Sequence, residues 1–371
     1  MSRIAIDARK YYDFGIGTYI RHLVEELPLI QSGHEFLLFV SPEDEEKLSI
    51  PDGWTTSVVR YGKYSVSEIF LFGRRAAVND VSVFHAPHYT LPFGLKERAV
   101  VTIHDLIHLR FPELFSSFQR AYSYGMILHA VRDAQYIITD SEFTKHDILR
   151  SFRVREEKIV PIHLGVSERF RQKHTSSEAE DFRSRFQLER PYVLFVGNTK
   201  PHKGLEVLLD AFKKALRIFP DIDLVIVGGT LNHEGVDWLN TGVSEISGRI
   251  KTLGRLADDD VMLAYNAAEM LVLPSLYEGF GLPALEAMAC GIPVVISKAA
   301  SLPEVVGNAA MICESGNVDE FADAIVCLLR EPDLRKNMIE KGRERSRLFS
   351  WRTTAQKTME IYEKVMGKNE R

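Results

Sequence analysis

The sequence has few cysteines and no long apolar run. Its three cysteines, Cys290, Cys313 and Cys327, have no Cys-x-x-Cys spacing and lie in apolar runs. This usage excludes a paired-cysteine redox motif and predicts buried thiols in a reducing cytoplasm. No apolar stretch is long enough to span a bilayer, and no signal-peptide core follows the strand-like start Met1–Asp7. We therefore expect a cytoplasmic protein whose membrane contact is peripheral, at the inner face of the cell membrane.

The chain also lacks a strong charge of either sign and two common nucleotide motifs. Its 46 Lys and Arg against 51 Asp and Glu give a net charge of −5, so we expect no nucleic-acid partner. A Walker loop is absent because no Gly-Lys-Ser/Thr occurs. Gly15 and Gly17 follow the first strand, but Ile20 stands where a dinucleotide fingerprint needs a third glycine or alanine. Both dehydrogenase and nucleotidase functions are therefore disfavoured.

Short apolar runs alternate with longer helical patterns along the whole chain, which is typical of parallel sheets covered on both faces. Two such series predict two doubly wound α/β domains. The predicted strands are Arg3–Ile6, Phe36–Val40, Thr56–Tyr61, Val81–His85, Ala99–Ile103, Tyr136–Thr139 and Lys158–Ile162, then Tyr192–Val196, Leu224–Val227, Ile250–Leu253, Met270–Leu273, Pro293–Ser297 and Ala310–Cys313.

The length of 371 residues suggests two or three domains. The charged segment Arg171–Arg190 has few large apolar residues and predicts a linker or an exposed helix start. We place the first domain at residues 1–175 and the second at 185–350. The last helix, about Thr353–Met366, has apolar residues in steps of four and three, which indicates one buried face.

The segment Pro274–Glu286 (PSLYEGFGLPALE) carries the strongest chemical signal. Its glycines allow a sharp turn after a buried strand, and Pro283 suits the first position of a helix that ends at Gly291. The amides around this helix start form an anion site. Glu286, about one turn into the helix, can accept hydrogen bonds from a diol such as a ribose.

This block resembles the nucleotide-sugar site of the family-4 retaining glycosyltransferases, marked by two glutamates eight positions apart, here Glu278 and Glu286. The Gly-Phe-Gly-Leu-Pro run and the tail Ala289–Val295 are part of the match. The resemblance covers nearly the whole chain. It implies the GT-B fold, in which two Rossmann-like domains face a cleft, the first (1–175) binding the acceptor and the second (185–350) the nucleotide sugar. The C-terminal helix (352–371) is expected to return to the first domain. The alternative is a solvated Glu278 and a merely helix-stabilising Glu286.

The resemblance also implies donor contacts elsewhere in the second domain. Lys203 matches one of two basic residues that bind the diphosphate, while Asn198 stands where the other is usually an arginine. One charge is therefore missing or is supplied from elsewhere, for which Lys200 and His202 are the candidates. The turn with Arg255 and Leu256 would pass over the nucleobase. The donor-binding set is completed by the helix start and the second glutamate: Gly279, Phe280, Gly281, Leu282 and Glu286.

In the first domain, the family has a glycine-rich loop at Gly15 and Gly17 that closes over the donor. His104 ends a buried strand and matches a histidine near the transferred hexose and its anomeric carbon, where a neutral imidazole both donates and accepts. The alternative is a hydrogen-bonded core histidine.

Two other features of the first domain have competing interpretations. His85, His88, His104 and His108 imitate a metal cluster, but their spacing is not diagnostic. The aromatic and basic segments Tyr64–Arg75 and Phe111–Tyr124 could face a hydrophobic acceptor or a membrane. We favour core helices whose ends could contact the acceptor.

The predicted reaction is hexosyl transfer from a nucleoside-diphosphate sugar to an acceptor hydroxyl of a glycan, lipopolysaccharide or glycolipid, with Glu278 and His104 as catalytic residues. Family members with a similar N-terminal Ile-Asp-Ala-Arg block are often mannosyltransferases of surface-polysaccharide assembly, which favours GDP-mannose. Neither a cofactor nor a metal is expected. The alternatives are an inert sugar-nucleotide-binding scaffold and a GT-B epimerase or phosphorylase.

Overall fold

The computed structural model describes residues 2–61, 72, 81–172, 175–229 and 243–369. The chain forms two compact units. The first comprises Met1–Gly165 with Ser350–Arg371, and the second Val166–Phe349. The first junction precedes the charged segment that the sequence suggested as a boundary, and the second lies next to the expected start of the C-terminal helix.

The first unit contains a seven-stranded parallel sheet within the described residues. Its strands are β1 (Arg3–Asp7), β2 (Glu35–Val40), β3 (Thr55–Val58), β4 (Val83–Ala86), β5 (Ala99–Ile103), β6 (Tyr136–Thr139) and β7 (Ile159–Pro161). The spatial order is β3-β2-β1-β4-β5-β6-β7. Because the order reverses between β1 and β4, the carboxyl ends of these two strands form a switch point, where doubly wound sheets bind ligands.

Four helices of the first unit follow its strands: α1 (Phe14–Glu26), α2 (Ile107–Arg110), α3 (Ser117–Asp133) and α4 (Glu142–Ser151). Shorter 3-10 turns cover Leu27–Leu29, Lys96–Arg98, Pro112–Leu114 and Glu156–Lys158. The buried positions of α1 are the ones expected from its spacing, namely Ile20, Leu23 and Val24. Gly15 and Gly17, expected in a loop before the helix, lie inside its first turn.

The second unit contains a six-stranded parallel sheet. Its strands are β8 (Tyr192–Val196), β9 (Asp223–Val227), β10 (Ile250–Gly254), β11 (Met270–Leu273), β12 (Val294–Ser297) and β13 (Met311–Cys313). Their order, β10-β9-β8-β11-β12-β13, is that of a Rossmann sheet. Each of the thirteen predicted strands overlaps an observed one, and the doubly wound α/β fold class is confirmed for each unit.

The helices of the second unit are α5 (Ser176–Arg185), α6 (Leu205–Leu216), α7 (Asp258–Asn266), α8 (Leu282–Cys290), α9 (Leu302–Val306), α10 (Val318–Arg330) and α11 (Pro332–Ser346). Its 3-10 segments are Glu168–Arg171, Pro201–Lys203 and Val243–Arg249. Helix α5 begins at a capping box formed by Thr175 and Glu178. Helix α7 begins after Ala257, so Asp258 lies in its first turn.

The last helix, α12 (Trp351–Asn369), packs against α1, β4 and β5 of the first unit. Its buried positions include Ala355, Met359 and Tyr362. The Tyr362 hydroxyl lies 2.6 Å from His85 Nδ1, and Arg352 donates to the carbonyl of Leu29 at 2.6 Å. The chain therefore returns to its first unit after completing the second.

The exposure of two aromatic segments and of the three cysteines can be compared with the expectations from the sequence. The segment Phe111–Tyr124 is not a core helix, because Phe118 is 79% and Tyr124 is 49% exposed. The segment Tyr64–Arg75 lies outside the described residues apart from Phe72, which is buried. Of the cysteines, Cys313 is buried, whereas Cys290 and Cys327 are half-buried. Within the described ranges, no helix is both long and apolar enough to cross a bilayer.

Candidate donor site and histidine site

The switch point of the second sheet lies between β8 and β11, which are neighbours although three strands apart in the chain order. The connection after β8 carries Lys203 and that after β11 carries Glu278. The amide of Leu276 donates to the carbonyl of His202 at 2.8 Å, which ties the two connections together. The sheet topology therefore brings residues 75 positions apart to one edge.

Lys203 and Glu278 form an ion pair at this edge. Lys203 Nζ lies 2.7 Å from Oε1 and 2.8 Å from Oε2 of Glu278. Ser275 donates its hydroxyl to Glu278 Oε1 at 2.8 Å. The side chains of Lys203 and Glu278 are only 18% and 13% exposed, so the pair is held in a partly desolvated place where its attraction is stronger than on an open surface.

Two glycines permit this close arrangement. Gly204 has φ +67°, and a Cβ on it would lie 2.1 Å from the carbonyl oxygen of Pro274. Gly281 has φ +106°, and its Cβ would lie 2.5 Å from Leu302 Cδ2. At both positions the backbone is left-handed and there is no room for a Cβ atom. Any residue other than glycine would therefore require the backbone or the contacting atoms to move.

Helix α8 begins at the same edge. Leu282 is its first residue and Pro283 its second, one position later than expected for the proline. Ser301 Oγ lies 2.8 Å from the carbonyl oxygen of Glu278 and 2.9 Å from that of Phe280, which fixes the preceding turn. Pro283 has no N–H, and the amides of Ala284 and Leu285 donate to the carbonyl of Gly281 at 3.0 and 3.4 Å, so this helix start offers an anion mainly the positive end of its dipole.

Glu286 lies one turn into α8 and accepts a hydrogen bond from the Tyr265 hydroxyl at 2.9 Å. Burial raises the pKa of Glu286 to about 7, with a further increase from Asp258, while the bond from Tyr265 acts in the opposite direction. The carboxyl group is thus close to half-ionised at neutral pH. A ligand that donates hydrogen bonds to it would stabilise the ionised form.

The other donor residues predicted in the second unit follow strands of the same sheet, whereas Gly15 and Gly17 lie in α1 of the first unit. Asn198 follows β8, is exposed, and accepts from the amide of Lys200 at 3.1 Å. Arg255 and Leu256 follow β10, and Arg255 is exposed. Burial lowers the pKa of His202 to about 4. His202 is therefore neutral at pH 7 and does not supply the charge that Asn198 lacks.

In the first unit, His104 directly follows β5 and is held from both sides. Its Nδ1 lies 2.7 Å from Oδ2 of Asp140, and its Nε2 lies 3.0 Å from the carbonyl oxygen of Pro87. Burial by itself lowers the pKa of His104, but the Asp140 carboxylate and the Pro87 carbonyl outweigh it and raise the pKa above its ordinary value. Both ring nitrogens face acceptors, an arrangement that favours the doubly protonated ring over the neutral ring that the sequence suggested.

The neighbouring histidines have structural roles or neutral rings. His85 lies between Tyr362 and Thr102, whose Oγ1 is 2.8 Å from Nε2. Burial lowers its pKa to about 3 and also lowers that of His88. Among the residues described, no group of three or more His, Cys, Asp or Glu side chains converges as metal ligands do.

Sequence reasoning missed Ser275, Tyr265 and Asp140. Ser275 was inside the recognised block, but its bond to Glu278 depends on the turn. Asp140 did leave a signal, because it directly follows β6 and neighbouring parallel strands bring their carboxyl ends together. Tyr265 lies in α7 and contacts Glu286 through helix packing, for which the sequence carries no local signal.

Comparison with known proteins bears on this geometry. The model described as "Glycosyltransferase Family 4" matches residues 15–170, and that described as "Glycosyl transferases group 1" matches residues 176–345. The O-antigen chain mannosyltransferase B of Escherichia coli is 30% identical over 96% of this chain and 98% of its own length. The chain belongs to the family-4 glycosyltransferases. It is therefore a transferase enzyme, as predicted.

Other similarities are more distant. The MMP alpha-(1->4)-mannosyltransferase of Mycolicibacterium hassiacum is 32% identical over 66% of this chain and 58% of its own length. HepE of Anabaena, solved with UDP and glucose, superposes with a TM-score of 0.79 at 19% identity over 98% of this chain and all of its own. The glycosyltransferase WaaG superposes with a TM-score of 0.76 at 15% identity over 97% of this chain and 99% of its own. These structures support the fold of this family-4 member.

Proposed function

We propose that this family-4 glycosyltransferase moves a mannosyl group from GDP-mannose to a hydroxyl of a glycan acceptor in polysaccharide, lipopolysaccharide or glycolipid assembly. The observation that carries the proposal is the edge of the second sheet where Lys203, Glu278 and the start of α8 meet. The mannosyl group and the setting are supported by the named activities of relatives in Escherichia coli and Mycolicibacterium hassiacum.

The donor's three parts correspond to three features of the second unit. Glu286, steadied by Tyr265, binds the ribose hydroxyls. The amides of the turn Gly279–Leu282, at the positive end of α8, and Lys203 bind the diphosphate, since a helix start favours anions. Glu278 binds hydroxyls of the hexose and orients it. In the structure Glu278 pairs with Lys203 and Ser275, which positions all three groups before a donor arrives.

The chemical step breaks the bond between the anomeric carbon and the diphosphate oxygen, which leaves with the electron pair. An acceptor hydroxyl attacks the anomeric carbon from the same side and gives its proton to the departing diphosphate oxygen, on which negative charge develops as the bond breaks. The positive end of α8 and the ammonium of Lys203 stabilise that charge. His104 keeps the catalytic role near the hexose that the family resemblance gives it, with its ring held by the Asp140 carboxylate. We further propose that anomeric configuration is retained.

The proposal also includes activity without a metal ion and a location in the cell. The helix start and Lys203 supply the positive charge for the diphosphate, so no divalent cation is needed. Activity in excess EDTA at the level seen in magnesium would support this, whereas loss of activity would contradict it. A cytoplasmic position at the inner membrane face and the absence of nucleic-acid partners stay predictions.

The first experiment is calorimetric titration with GDP, UDP and ADP and with GDP-mannose, UDP-glucose and GDP-glucose, with and without Mg²⁺. A ligand that binds only the folded protein also raises the melting temperature. Selective binding of GDP and GDP-mannose is expected. Preference for UDP would overturn the donor assignment, while GDP-mannose binding without any turnover would point to the inert scaffold.

A variant of the ion pair tests the role of Lys203. Lys203→Ala should weaken GDP binding by about tenfold or more, because charge-assisted hydrogen bonds are roughly twice as strong as neutral ones. The matched control is Lys298→Ala, which removes an ion pair with Glu314 in the same unit; Lys298 is 62% exposed. Equal effects of the two substitutions would remove Lys203 from the donor site.

A further inference from the structure

The two ends of the second unit are joined to each other. The unit starts with Val166–Arg171, its entry segment, and ends with Ser346–Phe349, its exit segment. Arg171 connects them, because its guanidinium donates to the carbonyl oxygen of Ser346 at 2.9 Å and to that of Phe349 at 3.2 Å. The 3-10 turn of the entry segment also packs against α8, the helix at the donor site.

Phe170 of the entry segment contacts Tyr265. The two ring centroids are 5.9 Å apart and the ring planes are inclined by 73°, which is an edge-to-face pair. Tyr265 is fully buried, and its hydroxyl donates to Glu286 at 2.9 Å. A carboxylate keeps one orientation when the group that donates to it is itself held in place, and here the donating ring is supported by Phe170.

The exit segment makes a similar contact with the turn before α8. The ring of Phe349 lies 5.9 Å from that of Phe280, with the planes inclined by 70°, and both side chains are 4% exposed. The guanidinium of Arg345 lies over the Phe349 ring and donates to the carbonyl oxygens of Glu304 and Val305 at 2.6 and 2.8 Å. The exit segment is thus fixed from several sides and gives the entry segment a firm support.

The side chain of Phe170 therefore lies behind the carboxylate that the proposed function assigns to the ribose. We propose that Phe170 is a positioning residue for nucleotide binding, because it supports the Tyr265 ring and so orients Glu286 toward the ribose hydroxyls. The affinity for the nucleotide then depends on the segment by which the chain enters the second unit. This inference rests on the proposed transferase function and adds a residue outside the donor contacts to the same site.

The test is calorimetric titration of Phe170→Ala with GDP and with dideoxy-GDP, which lacks both ribose hydroxyls. The affinity for GDP should fall by about threefold to tenfold, the range of an edge-to-face ring contact. The affinity for dideoxy-GDP should stay within about twofold of wild type, whereas a general loosening of the fold would change both alike. Phe170→Leu, which keeps apolar volume without a ring, should give the same result and replaces the alanine variant if that does not fold.

The matched control is Phe219→Ala. Phe219 is also a half-buried phenylalanine of the second unit, and it follows the end of α6. Its truncation should leave the affinities for GDP and dideoxy-GDP unchanged.

A double-mutant cycle tests the route through Tyr265. Tyr265→Phe keeps the ring and removes the hydroxyl that contacts Glu286, so it should weaken GDP binding. Adding Phe170→Ala to this variant should change the affinity by less than about twofold. Full additivity of the two substitutions would mean that Phe170 acts by another route and would overturn the inference.

The outcomes separate this inference from the proposed function. If wild type binds no nucleotide, the proposed function fails and this inference with it. If wild type binds GDP and Glu286→Gln weakens that binding, but neither variant of Phe170 does, the positioning role is overturned while the proposed function stands. The same conclusion follows if the variants of Phe170 weaken the binding of GDP and dideoxy-GDP equally.

Discussion

The buried ionisable side chains of both units are each held by a particular partner. Arg9, only 2% exposed, donates to both oxygens of Asp7 at 2.8 and 2.6 Å. Glu286 accepts from Tyr265, and His104 contacts Asp140. Removing one member of such a pair leaves the other buried without compensation, which costs more than the pair itself contributes.

The carboxyl group of Glu286 predicts a pH dependence of stability. Its pKa rises from 4.5 to about 7 on folding, so the folded state binds more protons than the unfolded state between these values. The free energy of unfolding should therefore fall as pH rises from about 4.5 to 7, by at most about 1.4 kcal/mol per pH unit for this group. Urea unfolding of wild type and Glu286→Gln checks this. The two slopes should differ, and identical slopes would contradict the raised pKa.

The Asp140 carboxylate raises the pKa of His104, so removing this carboxylate should change that pKa. The Asp140→Asn substitution removes the carboxylate that raises the histidine pKa, so that pKa should fall below its ordinary value because burial then dominates. NMR titration of the imidazole carbons measures it, with His85, already neutral, as the internal control. In wild type, the stabilisation from this pair is complete below the unfolded-state pKa and is lost as pH rises through the folded value. An unchanged His104 pKa in the variant would show that Pro87 alone holds the ring.

At the scale of elements, glycines decide where helices begin and how closely they approach strands. Gly281 precedes α8 with left-handed backbone and no room for a Cβ, whereas Gly125 lies inside α3 with nothing within 4 Å of its position. The same substitution should thus have opposite effects at the two sites.

Gly281→Ala is expected to destabilise the second unit by about 1–3 kcal/mol, from left-handed strain and contact with Leu302. Gly125→Ala is expected to stabilise the first unit by about 0.5–1 kcal/mol, since alanine has the higher helix propensity. Thermal and urea unfolding measure both. Destabilisation by Gly125→Ala would mean that α3 needs flexibility at this position.

Also at the scale of elements, local sequence patterns predict where some helices begin but not which of their side chains are exposed. Helices α3 and α5 begin at Ser116 and Thr175 with capping boxes that the sequence displays as Ser/Thr-x-x-Gln/Glu. The exposure of Phe118 on α3 could not be predicted in this way. Aromatic residues at helical spacing are usually buried, and only the tertiary structure shows that this end of α3 borders a pocket and not the core.

At the scale of the whole molecule, α12 makes the first unit depend on both ends of the chain. Tyr362 is fully buried and its hydroxyl lies 2.6 Å from His85. The Thr102 hydroxyl lies 2.8 Å from Nε2 of His85 and 3.1 Å from the hydroxyl of Tyr19 in α1, so it connects these two side chains. The network connects α12 to both the sheet and the first helix.

Tyr362→Ala is expected to destabilise the first unit by about 3–5 kcal/mol, as for other large aromatic truncations in cores. Hydrogen exchange should accelerate for amides of β4 and β5 and stay unchanged for β11 and β12, because only the first unit contains α12. Tyr362→Phe is the milder control, which removes the hydroxyl but keeps the ring. Equal acceleration in both sheets would show that the two units unfold together.

The sequence by itself determined the strands, the parallel doubly wound class and the glutamate block, because these depend on local apolar periodicity and on glycines and prolines at fixed offsets. Only the tertiary structure decided which distant groups meet. Lys203 reaches Glu278 because β8 and β11 are neighbours, and the pKa of His104 is raised because β6 brings Asp140 beside it. Such contacts and the pKa values they set depend on strand order and burial, which no short segment of the chain encodes.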